Sequence, residues 1–258
     1  MRIGIVFDRK KPDAVKSVLA AEAWLKERKH KVYRIFGDKI LKQLDFVITF
    51  GGDGLVLHTA NKIKKYNIPI LRVNFGYAGA LTNIKPDVML EKLSEVFEHD
   101  NYIIVERTRM EVAVLDELCD VILLKDALND VVIERRDSRT IVISVEIDGI
   151  KYEYRGDGVI FATKTGATAY VESAGGPTLI SDEKFILRVV SPSSRELLPY
   201  IIRPSSAVFQ VREIIGKARL TVDGSKILNL NKGQLIVMQK ARMTTLFVEI
   251  GDVKRKNR

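Results

Sequence analysis

The sequence predicts two domains, an α/β domain built on a parallel sheet followed by an all-β domain. Three observations carry that expectation: before residue 100 apolar runs alternate with helix-period stretches, after it alternating strand-like runs dominate, and no repeat or low-complexity linker intervenes. In order, the first part reads as strand MRIGIVF, an amphipathic helix from Val15 to Lys29, strands KVYRIF and DFVITF, a helix from Leu55 to Tyr66, and strand IPILRVNFG. The second part reads as TRMEVAVLD, RTIVISVEI, KFILRVVS, AVFQVRE, ARLTVDG, QLIVMQK and TLFVEI, with hairpin turns such as Asp148-Gly149 and Asp223-Gly224 between several of them. The expected limits are 1–100 for the α/β domain, 101–240 for the β domain and 241–258 for a C-terminal segment.

Composition bounds the function. A chain of 258 residues buries roughly 70–75% of its unfolded surface and needs no staple. With 46% hydrophobic and 29% charged residues it is globular, not disordered. The single cysteine, Cys119, excludes an internal disulfide and a Cys-rich zinc site, which fits a reducing, cytoplasmic compartment. No apolar run reaches membrane-spanning length, and MRIGIVFDRKK is charged too early for a secretory segment, so no membrane partner is expected. The 42 Lys and Arg against 33 Asp and Glu give +9, but these residues are scattered singly or in short runs such as Arg9-Lys10-Lys11, so no nucleic-acid partner is expected.

The stretch FVITFGGDG is the first candidate site. Gly51, Gly52 and Gly54 surround one carboxylate, Asp53, where a buried-type strand runs into a helix. An ordinary turn needs fewer glycines, so something must approach this backbone closely, and bare N–H groups at a helix start suit a phosphate. The alternative is a tight turn with Asp53 as helix cap. A second loop, Asn74-Phe75-Gly76-Tyr77-Ala78-Gly79, follows another strand in the same way, and two such strand ends suit one ligand crevice. There is no G-x-x-x-x-G-K-[ST] loop and no G-x-G-x-x-G after the first strand. His30, His58 and His99 have no metal-ligand spacing, and no metal is assigned to direct protein ligation.

The second candidate is YRGDGVIFATKTGATAYVESAGGP. Asp157 sits between glycines before a buried-strand run, and Thr165, Gly166, Thr168, Ala169 and Tyr170 follow it. Small and hydroxyl residues beside an aromatic let a flat base lie near the backbone. The alternative is a β-turn, a helix cap at Thr168 and a glycine C-cap at Gly175-Gly176.

Taken together and in order, GGDG, NFGYAGAL, ALNDVVIE, RGDGVIFATKTGATAY and SAGGP resemble the NAD kinase family over essentially the whole chain. The resemblance implies a Rossmann-like N-terminal domain, a β-sandwich-like C-terminal domain, and a dinucleotide bound between them. It also implies that the C-terminal segment returns to the first domain. The implied reaction transfers the terminal phosphoryl group of ATP or polyphosphate, with Mg²⁺, to the 2′-hydroxyl of the adenosine ribose of NAD, giving NADP. Asp53 would be the catalytic carboxylate and Gly51, Gly52 and Gly54 the phosphate loop. Asn74, Asn129, Asp130, Arg155, Asp157, Thr165, Thr168, Ala169, Tyr170 and Ser173 would contact NAD. A homo-oligomer, dimer or tetramer, is implied as well.

The chain departs from the family pattern in four places. Leu55 stands where Thr is usual, Ala80-Leu81 where Phe-Leu is, Asp130 where Glu is, and Lys164-Thr165-Gly166-Ala167 where Pro-Thr-Gly-Ser is. Lys164 in place of proline brings a cation that could meet a phosphate. Three alternatives stand beside the kinase reading: a lipid or diacylglycerol-type kinase with the same GGDG loop, a non-catalytic NAD-binding sensor, and a nucleic-acid-binding module using the +9 charge.

Overall fold

The computed structural model describes residues 1–36, 42–76, 79, 81–193 and 200–251. Tyr77, Ala78 and Ala80 of the second glycine loop, and 252–258 of the C-terminal segment, lie outside the described residues. The chain forms two compact units, Met1–Glu106 with the chain from Thr244 onward, and Arg107–Met243.

The first unit contains β1 (Arg2–Phe7), α1 (Pro12–Glu27), β2 (Lys31–Arg34), β3 (Phe46–Gly51), α2 (Asp53–Ile63), β4 (Ile70–Asn74), α3 (Met89–Phe97) and β5 (Tyr102–Arg107). Its sheet has the order β2-β1-β3-β4, then the C-terminal strand Thr245–Ile250, then β5. Pairing is parallel from β2 across to the C-terminal strand. Every residue of β3 is buried, as a central strand covered on both faces requires. Helix α1 starts earlier than its apolar pattern indicates because Pro12 presets the first helical φ. Helix α2 also starts earlier, at Asp53, and its last expected turn is a 3₁₀ turn over Lys64–Tyr66. Helix α3 adds to the expected elements; Met89, Leu93 and Val96 form its buried stripe.

Buried Arg72 on β4 joins this unit to its last strand. Its guanidinium donates to the Leu81 carbonyl at 2.7 Å, pairs with Glu249, and lies 4.1 Å over the Phe247 ring.

The second unit contains β6 (Met110–Leu115), β7 (Val121–Ala127), β8 (Asp130–Arg135), β9 (Ile141–Ile147), β10 (Ile150–Gly156), β11 (Gly158–Ala162) and β12 (Lys184–Val190). These are followed by β13 (Tyr200–Pro204), β14 (Phe209–Ile215), β15 (Ala218–Val222), β16 (Ser225–Leu230) and β17 (Leu235–Lys240). They make two antiparallel sheets, β10-β9-β14-β17-β6-β7 and β13-β12-β11-β8-β15-β16. Inner-face residues of both sheets share one core, in which Phe161 and Phe209 meet edge to face at 5.6 Å. This is the sandwich that the family resemblance implies. The structure adds β5, β7, β8, β10, β13 and β16 to the expected strands.

Strands β8 and β11 carry continuous apolar runs because their second face is covered too. Val132, Ile160, Ala162 and Ile186 pack there beneath Ala167, Val171 and Leu179. The segment after β11 is therefore a lid on the outer face of the second sheet, and it contains the TGATAY motif.

Candidate active site

In the first unit, Gly52 caps α2 in an extended conformation (φ −91°, ψ −177°), and Asp53 is the first helical residue. The alternative of Asp53 as the cap is thereby corrected. A Cβ at Gly52 would stand 3.3 Å from Gly76 Cα, and one at Gly76 would stand 3.0 Å from Gly52 Cα, so the two glycine loops meet backbone to backbone. A Cβ at Gly54 would meet nothing within 4 Å, which leaves open space at the helix start. Gly52 has no side chain with which to cap the first turn, so its N–H groups keep the character of an anion site. Asp53 Oδ1 accepts the Leu81 N–H at 3.2 Å, and the carbonyl of that same residue is held by Arg72. Asn74 shapes the second loop: its Oδ1 accepts the Gly76 N–H at 2.7 Å, and Gly79 turns beside its amide at φ +65°.

In the second unit, the alternation of β8 puts Asp130, Val132 and Glu134 on the face covered by the lid. Thr163, not Thr168, caps the lid's first turn, with Oγ1 accepting the Gly166 N–H at 3.3 Å. It also donates to the Leu128 carbonyl at 2.6 Å, while its N–H bonds the Asn129 carbonyl at 3.0 Å. The lid turns through Lys164–Gly166 into a π-type turn over Ala167–Val171, in which Ala169 leaves helical geometry (φ −118°, ψ −109°). Such turns are frequent at functional sites. Thr168 Oγ1 donates to the Thr165 carbonyl at 3.0 Å and Ser173 Oγ to that of Ala169 at 3.1 Å. The segment closes at Gly175 (φ +74°), as a glycine C-cap requires.

Two atoms here are buried without a hydrogen-bond partner, Asn129 Oδ1 and Thr165 Oγ1. Such groups cost free energy unless something meets them. Beside them lies Asp130, only 6% exposed. Burial, and then the charge of Asp223, push its carboxyl up from 3.8 to about 7. The Tyr170 hydroxyl is also raised, by burial and then by Glu134, Asp130 and Asp157, so these groups share one neighbourhood. Asp157 is paired with Arg135 at 2.7 Å.

Arg155 and Lys164 make contacts of their own. Arg155 is exposed on β10 and its Nε donates to Thr140 at 3.3 Å. Lys164 pairs with Asp182 at 3.2 Å, which Arg107 also holds at 3.0 Å, so its charge is engaged within the protein. Sequence reasoning missed Glu134 and Arg135. Glu134 accepts from Arg219 at 2.9 Å and Thr221 at 3.2 Å. The strand period counted from Asp130 was the signal that finds it.

A raised carboxylate pKa has a definite sign in stability. The folded chain holds the Asp130 proton more tightly than the unfolded one, so stability falls as pH rises from about 4 to about 7, and the penalty is complete above 7. Its upper size is roughly 4 kcal/mol. Asp130→Asn is therefore expected to melt above the parent chain at about pH 8, with the gain shrinking toward pH 4. Melting curves across that range check it. A gain independent of pH would mean that the carboxyl does not titrate there.

Comparison with known proteins gives a consistent result. The model of the ATP-NAD kinase N-terminal domain matches residues 7–102, and that of the ATP-NAD kinase C-terminal domain matches residues 128–250. The chain belongs to the NAD kinase family. Family membership makes it a phosphotransferase and sets aside the lipid-kinase alternative. Among its NAD kinase relatives, that of Thermococcus sibiricus is 32% identical over 98% of this chain and 95% of its own length. That of Hydrogenovibrio crunogenus is 38% identical over 67% of this chain and 59% of the relative. A crystal structure of an NAD kinase from Archaeoglobus fulgidus in complex with ATP is 26% identical, with TM-score 0.78 over 99% of this chain and 95% of that one. Yeast NADH kinase complexed with NADH, at 20% identity, shares the fold with TM-score 0.84 over 99% of this chain and 85% of that one.

Proposed function

We propose that the chain transfers the terminal phosphoryl group of ATP to the 2′-hydroxyl of the adenosine ribose of NAD, giving NADP. The observation that carries this reading is the pair of unpartnered buried atoms, Asn129 Oδ1 and Thr165 Oγ1, beside Asp130 on a lid-covered sheet face. A ligand rich in hydroxyl and amide groups supplies what they lack.

In this reading Asp130 and Asn129 hold a sugar and its neighbouring amide, and Tyr170 lies against a base. Asp157, Thr165, Thr168, Ala169 and Ser173 complete the NAD contacts, while Asn74 keeps the second glycine loop in shape. The N–H groups around Gly51, Gly52 and Gly54 receive the donor phosphates. Asp53 hydrogen-bonds the 2′-hydroxyl, aims its oxygen at the terminal phosphorus, and takes its proton as the O–P bond forms and ADP leaves. Mg²⁺ on the donor phosphates would neutralise the charge of the group in flight.

The Archaeoglobus relative's complex favours ATP as donor, with polyphosphate the alternative. Exposed Val121, Ile122 and Leu124 on edge strand β7 favour a homo-oligomer, dimer or tetramer. The free thiol of Cys119 suits the cytoplasm.

The test is incubation with NAD or NADH, ATP or polyphosphate, and Mg²⁺, with the phosphorylated dinucleotide detected by a coupled dehydrogenase. Mg²⁺-dependent NADP formation is expected. NAD binding without product from either donor would turn the reading toward a sensor.

A further inference from the structure

The chain has two Asp-Gly hairpin turns of the same backbone type. Asp148-Gly149 has φ of 50° and 81°, and Asp223-Gly224 has φ of 48° and 72°, so both residues of each turn are left-handed. Both read in sequence as ordinary turns, and Asp148 is exposed. Asp223 does more. Its Oδ2 accepts the Leu128 N–H at 3.0 Å, and its Oδ1 accepts those of Asn129 at 2.7 Å and Asp130 at 3.3 Å. Its own N–H donates to the Asp130 carbonyl at 3.0 Å. One turn residue thus grips three successive peptide groups more than ninety positions earlier in the chain.

This grip has an electrostatic cost. The charge of Asp223 helps to hold the neighbouring Asp130 carboxyl near neutrality in its titration. An Asn-Gly pair makes the same turn without that charge. An amide, however, has one acceptor oxygen where the carboxylate has two, so it cannot receive all three N–H groups. Behind Asp223 lies Arg109, fully buried, whose guanidinium donates to the Asp126 carbonyl at 3.2 Å and feels the charges of both Asp223 and Asp126.

We propose that Asp223 is a positioning residue of the NAD site: it fixes the Leu128–Asp130 backbone so that Asn129 and Asp130 meet the dinucleotide. The proposal rests on the NAD-binding reading of those two residues. Asp223 itself touches no reacting atom.

The test compares Asp223→Asn, Asp223→Ala and the control Asp148→Asn with the parent chain, using calorimetric NAD titration, NADP formation and melting. Loss of charge-assisted hydrogen bonds predicts that KM and Kd for NAD rise about 10–100-fold in both Asp223 variants, with kcat at saturating NAD within about threefold. The control should match the parent in every measurement.

The pH profile separates positioning from bulk stability. Asp130 is faced by Asp223 from the β15–β16 turn and by Tyr170 from the lid, with Glu134 four residues along its own strand. Without the Asp223 charge its titration should move to lower pH, and with it the midpoint of the pH dependence of NAD affinity. A lowered melting temperature with unchanged NAD affinity and pH midpoint in Asp223→Asn overturns the proposal, whatever Asp223→Ala does to folding. A parent chain that binds no NAD overturns the underlying reading instead, and this inference with it.

Discussion

On the proposed role of Asp53 as general base, Asp53→Asn is expected to lower NADP formation by roughly 10²–10⁴ while NAD still binds within several-fold. The substitution keeps an oxygen to accept the Leu81 N–H, the contact that Asp53 Oδ1 makes at 3.2 Å. It does not disturb the cap, since Gly52 occupies that position. The stability change includes the loss of one negative charge from the first turn of α2, worth about 0.3–1 kcal/mol. Melting temperature, NAD affinity and turnover should be read on one preparation. Near-normal turnover would remove Asp53 from the catalytic role and leave it as a support for the Leu81 loop.

The second large effect is expected from Gly166→Ala. Backbone conformation alone favours the change, since Gly166 has φ −72° and ψ −20° and Ala in a helical turn gains up to about 1 kcal/mol. Packing opposes it more strongly. The new Cβ would lie 2.1 Å from the Asn129 carbonyl oxygen and 2.5 Å from its carbon, both backbone atoms that no rotamer change can move away. Overpacking of this kind costs about 1–3 kcal/mol, so a net loss of stability is expected. The same displacement shifts Asn129 and the lid together, and NAD affinity should fall more than tenfold. Thermal melting and calorimetric titration check both halves. A melting temperature at or above that of the parent would show that the lid relaxes without cost.

Much of this was legible in the sequence where one physical demand dominates. The run FVITF followed by glycines reads as a buried strand ending in a loop that something approaches closely; the Gly76 backbone does so at Gly52, while open space lies beside Gly54. The alternating runs gave β6, β9, β12, β14, β15 and β17 directly. Strand β7 escaped because VILLKDA has no alternation: at a sheet edge, with four of its seven residues exposed and only Ala127 buried, burial imposes none. The structural alternative put its helix cap at Thr168 because Thr163 and Thr168 look alike in sequence, and only the carbonyls of Leu128 and Asn129 distinguish them. The partners of Asp130 were invisible for a similar reason. A hairpin Asp-Gly declares its turn, but not what its carboxylate reaches across the sheet.

The strand Thr245–Ile250 carries a consequence for biosynthesis. It sits between β4 and β5, so the sheet that bears the GGDG loop cannot close until the last described strand has left the ribosome. The intervening 107–243 must be made first. At translation rates of about 5–20 residues per second this wait is on the order of ten seconds. During it, β4 presents an unpaired edge and Arg72 lacks Glu249. An open edge of this kind is a template for wrong pairing. Nascent chains stalled before residue 245 should therefore be the aggregation-prone species, although everything that reads as the N-terminal domain has already been synthesised.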